Sequence, residues 1–177
     1  MLEDGLERAD SLEDADVVLL NTCSVRQKPE DKVFSKLGIL AELKKEKPDL
    51  TIGVTGCMAQ RAGGEIARRA PHIDLIVGTA QLEKIPYLVR KRKSLLESGD
   101  VVPNKAGDVL IQLELPRKKT ESQLYLPERK RVTLGKLKSF VSIMYGCDKF
   151  CQFCIVPHTR GKERSQRFAP WNDGDFY

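Results

Sequence analysis

Three short apolar runs alternate with longer amphipathic stretches in the first half of the chain. The runs "ADVVLLNT", "LTIGVTG" and "IDLIVGT" occupy residues 15–22, 50–56 and 73–79. Their content of β-branched and aliphatic residues is typical of buried strands. The stretches between them have helical spacing, and alternating strands and helices are typical of a parallel sheet with crossover helices. The sequence therefore predicts an α/β fold for this half.

The predicted helices are defined by their apolar positions and their boundary residues. Between the first two strands, apolar residues recur at i, i+4, i+7 and i+8 and predict one core face: Val33, Leu37, Leu40 and Ala41. Pro29 and Glu30 suit the first turn of that helix. After the third strand, Thr79 is the predicted N-cap, and Pro86 is expected to kink or divide the helix that follows.

Periodicity fades between residues 98 and 136, which we interpret as an interdomain linker with short extended pieces. Residues 84–138 hold 14 Lys or Arg against 6 Asp or Glu, whereas the whole chain has 30 against 25. Such a basic stretch either contacts RNA phosphates or keeps a linker solvated. The predicted organisation is a first domain at 1–97, a basic linker at 98–136 and the start of a second domain at 137–177, where "LKSFVSIMYG" predicts a strand.

Composition limits the class of protein. With 177 residues, of which 41% are hydrophobic, the chain is long enough for one full domain and part of a second. No apolar run is long enough to span a membrane, and the N-terminus does not resemble a signal peptide. We therefore expect a soluble cytoplasmic protein that does not bind a membrane. In that reducing compartment, five cysteines favour metal binding over disulfides.

Three of these cysteines stand close together in "YGCDKFCQFCIVPHTRGKERSQ", directly after the last predicted strand. Cys147, Cys151 and Cys154 have the spacing C-x3-C-x2-C, and thiolates are soft ligands that suit iron–sulfur clusters or zinc. Three thiolates leave one iron of a cubane open to a small molecule. Zinc is the alternative, because His158 would complete a Cys3His site. However, zinc sites usually join two ligand pairs across a longer loop.

The stretch "SIMYGCDKFCQFCIVPHTRGKERS" resembles the radical S-adenosylmethionine methylthiotransferases, closest to the tRNA 2-methylthio-adenosine synthases. The resemblance implies that the cysteine trio holds a [4Fe-4S] cluster whose open iron binds S-adenosylmethionine, and that Phe150 and Phe153 pack around this cluster. Reductive cleavage of the cofactor would then give a 5′-deoxyadenosyl radical. The resemblance also implies a flavodoxin-like or Rossmann-like first domain and a second domain that begins a βα barrel.

Cys23 in "NTCSVR" and Cys57 in "TGCMAQR" each follow a predicted strand. Because the carboxyl ends of parallel strands meet at one edge of a sheet, we expect both thiols to face the same crevice. Small buried core residues are the alternative interpretation. The motifs resemble the family's N-terminal domain, where three cysteines bind an auxiliary [4Fe-4S] cluster that supplies or carries the sulfur. The third cysteine belongs to an opening strand that this chain lacks, so we expect Cys23 and Cys57 to form a labile site.

The resemblance also implies a substrate and partners. The reaction would add a methylthio group to C2 of N6-isopentenyladenosine beside the tRNA anticodon, with a reductant such as flavodoxin or ferredoxin and a monomeric chain. Arg160 and Arg164 are expected to bind a carboxylate or phosphate, with solvated surface charges as the alternative. Sister enzymes act on threonylcarbamoyl-adenosine in tRNA or on a ribosomal-protein aspartate. A non-catalytic zinc or iron–sulfur module that binds RNA is a further alternative.

The resemblance ends before most of the implied barrel. After "TRGKERS" this chain continues as "QRFAPWNDGDFY", so we expect a truncated barrel and a chain that does not complete turnover by itself. The triplet Gly63-Gly64-Glu65 resembles the glycine-rich motif that grips the S-adenosylmethionine amino group. Because the triplet precedes the cysteine loop, we expect it to start a helix of the first domain and to serve capping and packing.

Overall fold

The three apolar runs form neighbouring parallel strands, as the sequence predicts. The structure is a computed structural model that describes residues 5–24, 27–100, 108–115 and 144–165. The strands of the first sheet are β1 (Val17–Thr22), β2 (Thr51–Gly56), β3 (Leu75–Val77) and β4 (Leu110–Gln112). Within the described residues they form one parallel sheet in the order β1-β2-β3-β4. The predicted α/β class with a Rossmann-like parallel sheet is confirmed.

Helices cover both faces of this sheet. The helices of the described residues are α1 (Gln27–Glu46), α2 (Cys57–Arg69), α3 (Ile85–Ser98) and α4 (Val156–Arg160), with a 3-10 turn at Leu82–Lys84. Side chains along a strand point alternately to opposite faces. One face packs against α1 and α2 through Ile52, Val54, Ile76, Leu37, Leu40, Met58 and Ile66. The other packs against α3 through Leu75, Val77, Ile85, Leu88 and Val89.

The core face of α1 is longer than its apolar residues indicate. Leu37 and Leu40 are buried and Val33 and Ala41 are half-buried, so the predicted spacing is confirmed. Lys44 continues the same face one turn further and is only 1% exposed. A lysine at that depth requires a charged partner, and Asp74 is that partner.

In the glycine triplet of α2, Gly63 has the packing role that the sequence predicts, whereas the predicted helix start is wrong. The triplet lies inside the helix rather than at its start, just after a kink at Ala62. A Cβ at Gly63 would stand 2.7 Å from Cδ1 of Leu113 and 3.2 Å from Cγ2 of Ile76. The missing side chain therefore lets α2 approach the sheet closely.

The predicted N-cap of the third helix is wrong. Thr79 is 9% exposed and lies before the 3-10 turn, whereas α3 begins at Ile85. Pro86 occupies the first turn of α3 and therefore divides the segment rather than kinking a longer helix. Proline is favoured there because the N–H groups of a first helical turn have no partner within the helix.

The sheet extends into the segment that the sequence assigned to the linker, because β4 pairs with β3 from Leu75↔Leu110 to Val77↔Gln112. Arg92, counted among the basic residues of this region, is 2% exposed and pairs with Asp74. Its charge is therefore not available to RNA. Most of the predicted linker, at 101–107 and 116–136, lies outside the described residues.

The chain divides into two compact units, Met1–Leu115 and Pro116–Tyr177. In the described part of the second unit, β5 (Met144–Tyr145) pairs antiparallel with β6 (Arg164–Ser165). Residues 137–143 of the strand predicted there lie outside the described residues, and the barrel stays a prediction. None of the helices in the described ranges combines the length and hydropathy that a membrane span requires.

Candidate metal centres at two cysteine loops

Cys23 and Cys57 follow neighbouring strands at the same edge of the sheet. β1 and β2 are in parallel register up to the pair Thr22↔Gly56, and each cysteine is the first residue after the end of its strand. Cys23 is exposed and Cys57 is half-buried at the start of α2. The predicted placement at one carboxyl edge therefore agrees with the register of the sheet. Their role as metal ligands stays a prediction.

Gly56 determines how the chain leaves β2 before Cys57. Its φ of 96° and ψ of −160° belong to a region that essentially only glycine occupies. A Cβ there would collide with the carbonyl oxygen of Thr22 and stand 2.7 Å from Oδ1 of Asn21. The bare glycine therefore lets the two cysteine-bearing strand ends run side by side.

Several polar groups at this edge are buried without a hydrogen-bond partner in the structure. They are Oγ of Ser24, Oγ1 of Thr55 and Oε1 of Gln60. Ser24 follows Cys23, Thr55 precedes Cys57 by two residues, and Gln60 lies in the first turn of α2. Such groups favour a bound polar or charged ligand. The two hydroxyl groups are able to donate hydrogen bonds to sulfur, whereas the carbonyl oxygen of Gln60 only accepts.

The second candidate centre is a loop closed at its base. β5 and β6 pair through Met144↔Ser165 and Tyr145↔Arg164. Just inside this ribbon, the N–H of Cys147 donates to the carbonyl of Gly161 at 3.2 Å. The N–H of Glu163 donates to Oδ1 of Asp148 at 2.9 Å.

Gly146 makes the entry into the loop possible. Its φ is 77°, and a Cβ would collide with the carbonyl of Lys162 and stand 2.6 Å from that of Gly161. A side chain there would push the two arms of the loop apart. The strand β5 and this turn together place Cys147 at the base of the loop.

The remaining cysteines of the trio lie further along the loop. The N–H of Cys154 donates to the carbonyl of Cys151 at 2.9 Å, which turns the chain between them. Phe150, just before Cys151, has a φ of 47°, which is rare for a residue with a side chain. Cys147 and Cys154 are half-buried, Cys151 is exposed, and all three are free thiols.

The donor set of this loop fits an iron–sulfur cluster by its chemistry, because three thiolates are available within one closed loop. The side chains are not drawn together: among the described residues no three His, Cys, Asp or Glu side chains form a group that could hold a metal ion. Phe150 is 63% and Phe153 95% exposed, so their packing around a cluster stays a prediction. The exposed His158 has its ring 6.2 Å from that of Phe150, edge to face.

The roles of two residues at these sites were not predicted from the sequence. The ring of Tyr145 makes cation–π contacts with two arginines of the loop. Cζ of Arg160 lies 5.5 Å and Cζ of Arg164 lies 4.9 Å from its ring centroid. Gln60 joins α2 to the end of the sheet, because its Nε2 donates to the carbonyl of Leu113 at 2.6 Å. Both lie in the quoted motifs, but only the fold shows what they contact.

Comparison with known proteins gives two kinds of match. Residues 1–78 match the family described as "Uncharacterized protein family UPF0004". Curated proteins named "tRNA-2-methylthio-N(6)-dimethylallyladenosine synthase" match nearly the whole chain. The relative from Halalkalibacterium halodurans is 44% identical over 93% of this chain, that from Bacillus licheniformis 46% over 92%, and that from Herminiimonas arsenicoxydans 45% over 93%. The chain spans 28%, 29% and 33% of the length of these relatives.

The two kinds of match cover different lengths of the chain. The UPF0004 match covers residues 1–78, and these residues contain the parallel strands β1 to β3 and both N-terminal cysteines. Beyond that domain, the similarity to the tRNA-2-methylthio-N(6)-dimethylallyladenosine synthases continues over the remaining chain. The resemblance to methylthiotransferases that the cysteine motifs predict is therefore confirmed.

Proposed function

We propose that this chain contributes to a tRNA methylthiotransferase that modifies C2 of N6-isopentenyladenosine, the dimethylallyladenosine of the relatives' names. The observation that carries the proposal is an identity of 44% to 46% over 92% to 93% of the chain. The uncovered remainder is too short to leave out either cysteine loop. The sister substrates, threonylcarbamoyl-adenosine and a ribosomal-protein aspartate, are supported by none of these names.

Cys147, Cys151 and Cys154 would hold a [4Fe-4S] cluster that leaves one iron open. When bound, this cluster supplies an electron for the reductive cleavage of S-adenosylmethionine. The chain's own contribution is to close the loop at its base through the β5–β6 ribbon and the Cys147–Gly161 bond. The exposed ring of Phe153 would cover a cluster bound there and exclude water.

Cys23 and Cys57 would hold the auxiliary cluster at the carboxyl edge of the sheet. The hydroxyl groups of Ser24 and Thr55, buried and without partners in the structure, would donate hydrogen bonds to sulfur and stabilise its negative charge. With two thiols from this chain, we expect weaker metal binding than at the trio.

The partners follow from the same proposal. The substrate would be a tRNA, and the basic residues of the region 84–138 other than the buried Arg92 would attract its phosphates. An electron donor such as flavodoxin or ferredoxin would reduce the cluster, and the chain would act as a monomer in the cytoplasm.

Anaerobic reconstitution with iron and sulfide tests the proposal. The loaded chain is expected to absorb broadly in the visible and, after reduction, to give an electron paramagnetic resonance signal that changes when S-adenosylmethionine is added. A chain that takes up zinc but no iron would contradict the proposal. A cluster whose signal ignores S-adenosylmethionine would contradict the open iron.

A further inference from the structure

Two guanidinium groups meet on one aromatic ring at the base of the cysteine loop. Arg164 is the cross-strand partner of Tyr145 in the β5–β6 ribbon, and its Cζ lies 4.9 Å from the ring centroid. Arg160 reaches the same ring from the end of α4, with Cζ at 5.5 Å. The ring quadrupole attracts both cations, which keeps them near the loop rather than extended into water.

This arrangement concentrates positive charge at one place. Residues 144–165 contain four Lys or Arg and two Asp or Glu, so the loop as a whole is basic. Two like charges near one ring repel each other, and an anion bound close to them relieves the repulsion. Guanidinium groups present paired N–H donors that match the oxygens of a phosphate or a carboxylate.

We propose that Arg160 and Arg164, held against Tyr145, form an oxyanion-binding site at the base of the cysteine loop. The site deepens the proposed function and rests on it, because it names the residues that engage either the phosphodiester of the RNA substrate or the carboxylate of S-adenosylmethionine. Both ligands present the same chemistry, and the position of Tyr145 two residues before Cys147 brings the site next to the cluster ligands.

Lys162 provides a control for the two arginines. This lysine lies between the two arginines in sequence, is exposed, and carries the same charge. A solvated basic patch would use all three cations alike. A built oxyanion site would depend on the two guanidiniums and on the ring, and not on Lys162.

The first arm of the test measures RNA binding by the iron-free 177-residue chain. An anticodon stem-loop RNA is titrated at several salt concentrations with the unaltered chain and with Arg160→Gln, Arg164→Gln and the matched control Lys162→Gln. If RNA is the ligand, each arginine variant weakens binding by about 10- to 100-fold and lowers the salt dependence. The lysine variant changes binding by less than about threefold.

The second arm measures binding of S-adenosylmethionine to the reconstituted chain by the change in the resonance signal of the reduced cluster. If the cofactor carboxylate is the ligand, the arginine variants require a higher cofactor concentration for the same change, and Lys162→Gln does not. Visible absorbance of each variant shows that its cluster is loaded. Failure of the proposed function, which is loss of the cluster itself, is thereby distinguished from failure of the oxyanion site.

Two further variants separate a positioned guanidinium from simple charge. Arg160→Lys keeps the charge and loses the planar donor pair, so it is expected to weaken binding nearly as much as Arg160→Gln. Tyr145→Leu removes the aromatic ring and is expected to weaken binding in the same direction as the arginine variants. Equal losses for all three cations would overturn the proposal. So would unchanged binding in both arms, or no binding of either ligand by the unaltered chain.

Discussion

At the scale of single residues, Asp74 is the polar centre of the first unit. One carboxylate oxygen, Oδ2, accepts from Nζ of Lys44 and, at 2.8 Å, from the N–H of Ile52. The other, Oδ1, lies 2.7 Å from Nη2 of Arg92. All three charged side chains are at most 2% exposed. Asp74 thus connects α1, α3 and β2 at the amino end of β3, opposite the cysteine edge.

Replacement of Asp74 by asparagine should strongly destabilise the first unit. It would leave the charges of Lys44 and Arg92 buried without a carboxylate, which typically costs about 3–5 kcal/mol. The free energy of unfolding from urea titrations followed by circular dichroism measures this. Asp16→Asn is the matched control, since Asp16 pairs with Lys47 at 2.8 Å but is 87% exposed; the expected loss there is within about 1 kcal/mol. Equal effects of the two variants would contradict the proposed role of Asp74.

His72 should make the stability of the same unit depend on pH. Burial lowers the pKa of His72 below its ordinary 6.5, opposed in part by a backbone hydrogen bond with Leu37. Its Nε2 is buried with no hydrogen-bond partner in the structure, so protonation there is unfavourable. The unfolded chain binds the proton more readily, so the stability from this histidine is complete above pH 6.5 and is lost as pH falls through the lower folded pKa.

The measurement compares unfolding free energies at about pH 7.5 and about pH 5. His72→Gln should reduce the difference between them. His158→Gln, which changes the chain's other histidine, lies in the second unit and should leave the difference for the first unit unchanged. A difference that persists in the His72 variant would assign the pH dependence to other groups.

Single residues also show a limit of reading from sequence. Lys44 has the helical spacing of a core position, yet burial of a lysine depends on a carboxylate 30 residues away in the chain. Arg92 similarly reads as one of several basic residues of α3. Its pairing with Asp74 depends on how α3 packs against the sheet. Pairings of this kind follow from tertiary structure and have no local signal.

At the scale of elements, Gly56 is the position where β2 passes into α2. Gly56→Ala should destabilise the first unit by at least about 1–3 kcal/mol, because its backbone conformation is strained for any residue with a Cβ. The added methyl group also meets the backbone of Thr22. Gly64→Ala is the matched control inside α2. A Cβ there has nothing within 4 Å, and alanine favours helix by up to about 1 kcal/mol.

Thermal unfolding of both variants distinguishes the two effects. The prediction requires a lower midpoint for Gly56→Ala and an unchanged or higher midpoint for Gly64→Ala. If Gly56→Ala unfolded at the unaltered midpoint, the close approach of the two cysteine-bearing strand ends would not depend on a bare glycine.

Elements with a strong local pattern could be predicted, and the others could not. β1, β2 and β3 lie within continuous apolar runs, and the periodicity of α1 gave its core face. β4 has three residues, which are only half-buried or exposed, and it lies within a stretch that has no clear periodicity. Its membership of the sheet depends on pairing with β3, which the sequence does not display. Thr79 has the propensity of a cap residue, but α3 begins only at Ile85, because Pro86 is favoured in the first turn of a helix.

At the scale of the whole molecule, the cysteine pattern predicted two separate centres, and the two sets lie in different units. Cys23 and Cys57 belong to the first unit, and the trio belongs to the second. Parallel register explains why the first two could be placed at one edge from sequence alone. The polar groups beside them and the arginine pair on Tyr145 could not be predicted, because each depends on contacts between distant segments.

Separate centres lead to an asymmetric response to cysteine replacement. Cys151→Ser should remove most of the visible absorbance of the reconstituted chain and abolish the effect of S-adenosylmethionine on the resonance signal. The three thiols of that trio lie within one closed loop and supply three ligands for a cluster. Cys57→Ser, the same substitution at the edge of the sheet, should leave most of the absorbance and the full cofactor effect. Two thiols from this chain retain metal poorly, so little of the signal arises there. Equal losses from the two variants would mean that one cluster depends on both units, and the assignment of the trio to a self-sufficient site would then be wrong.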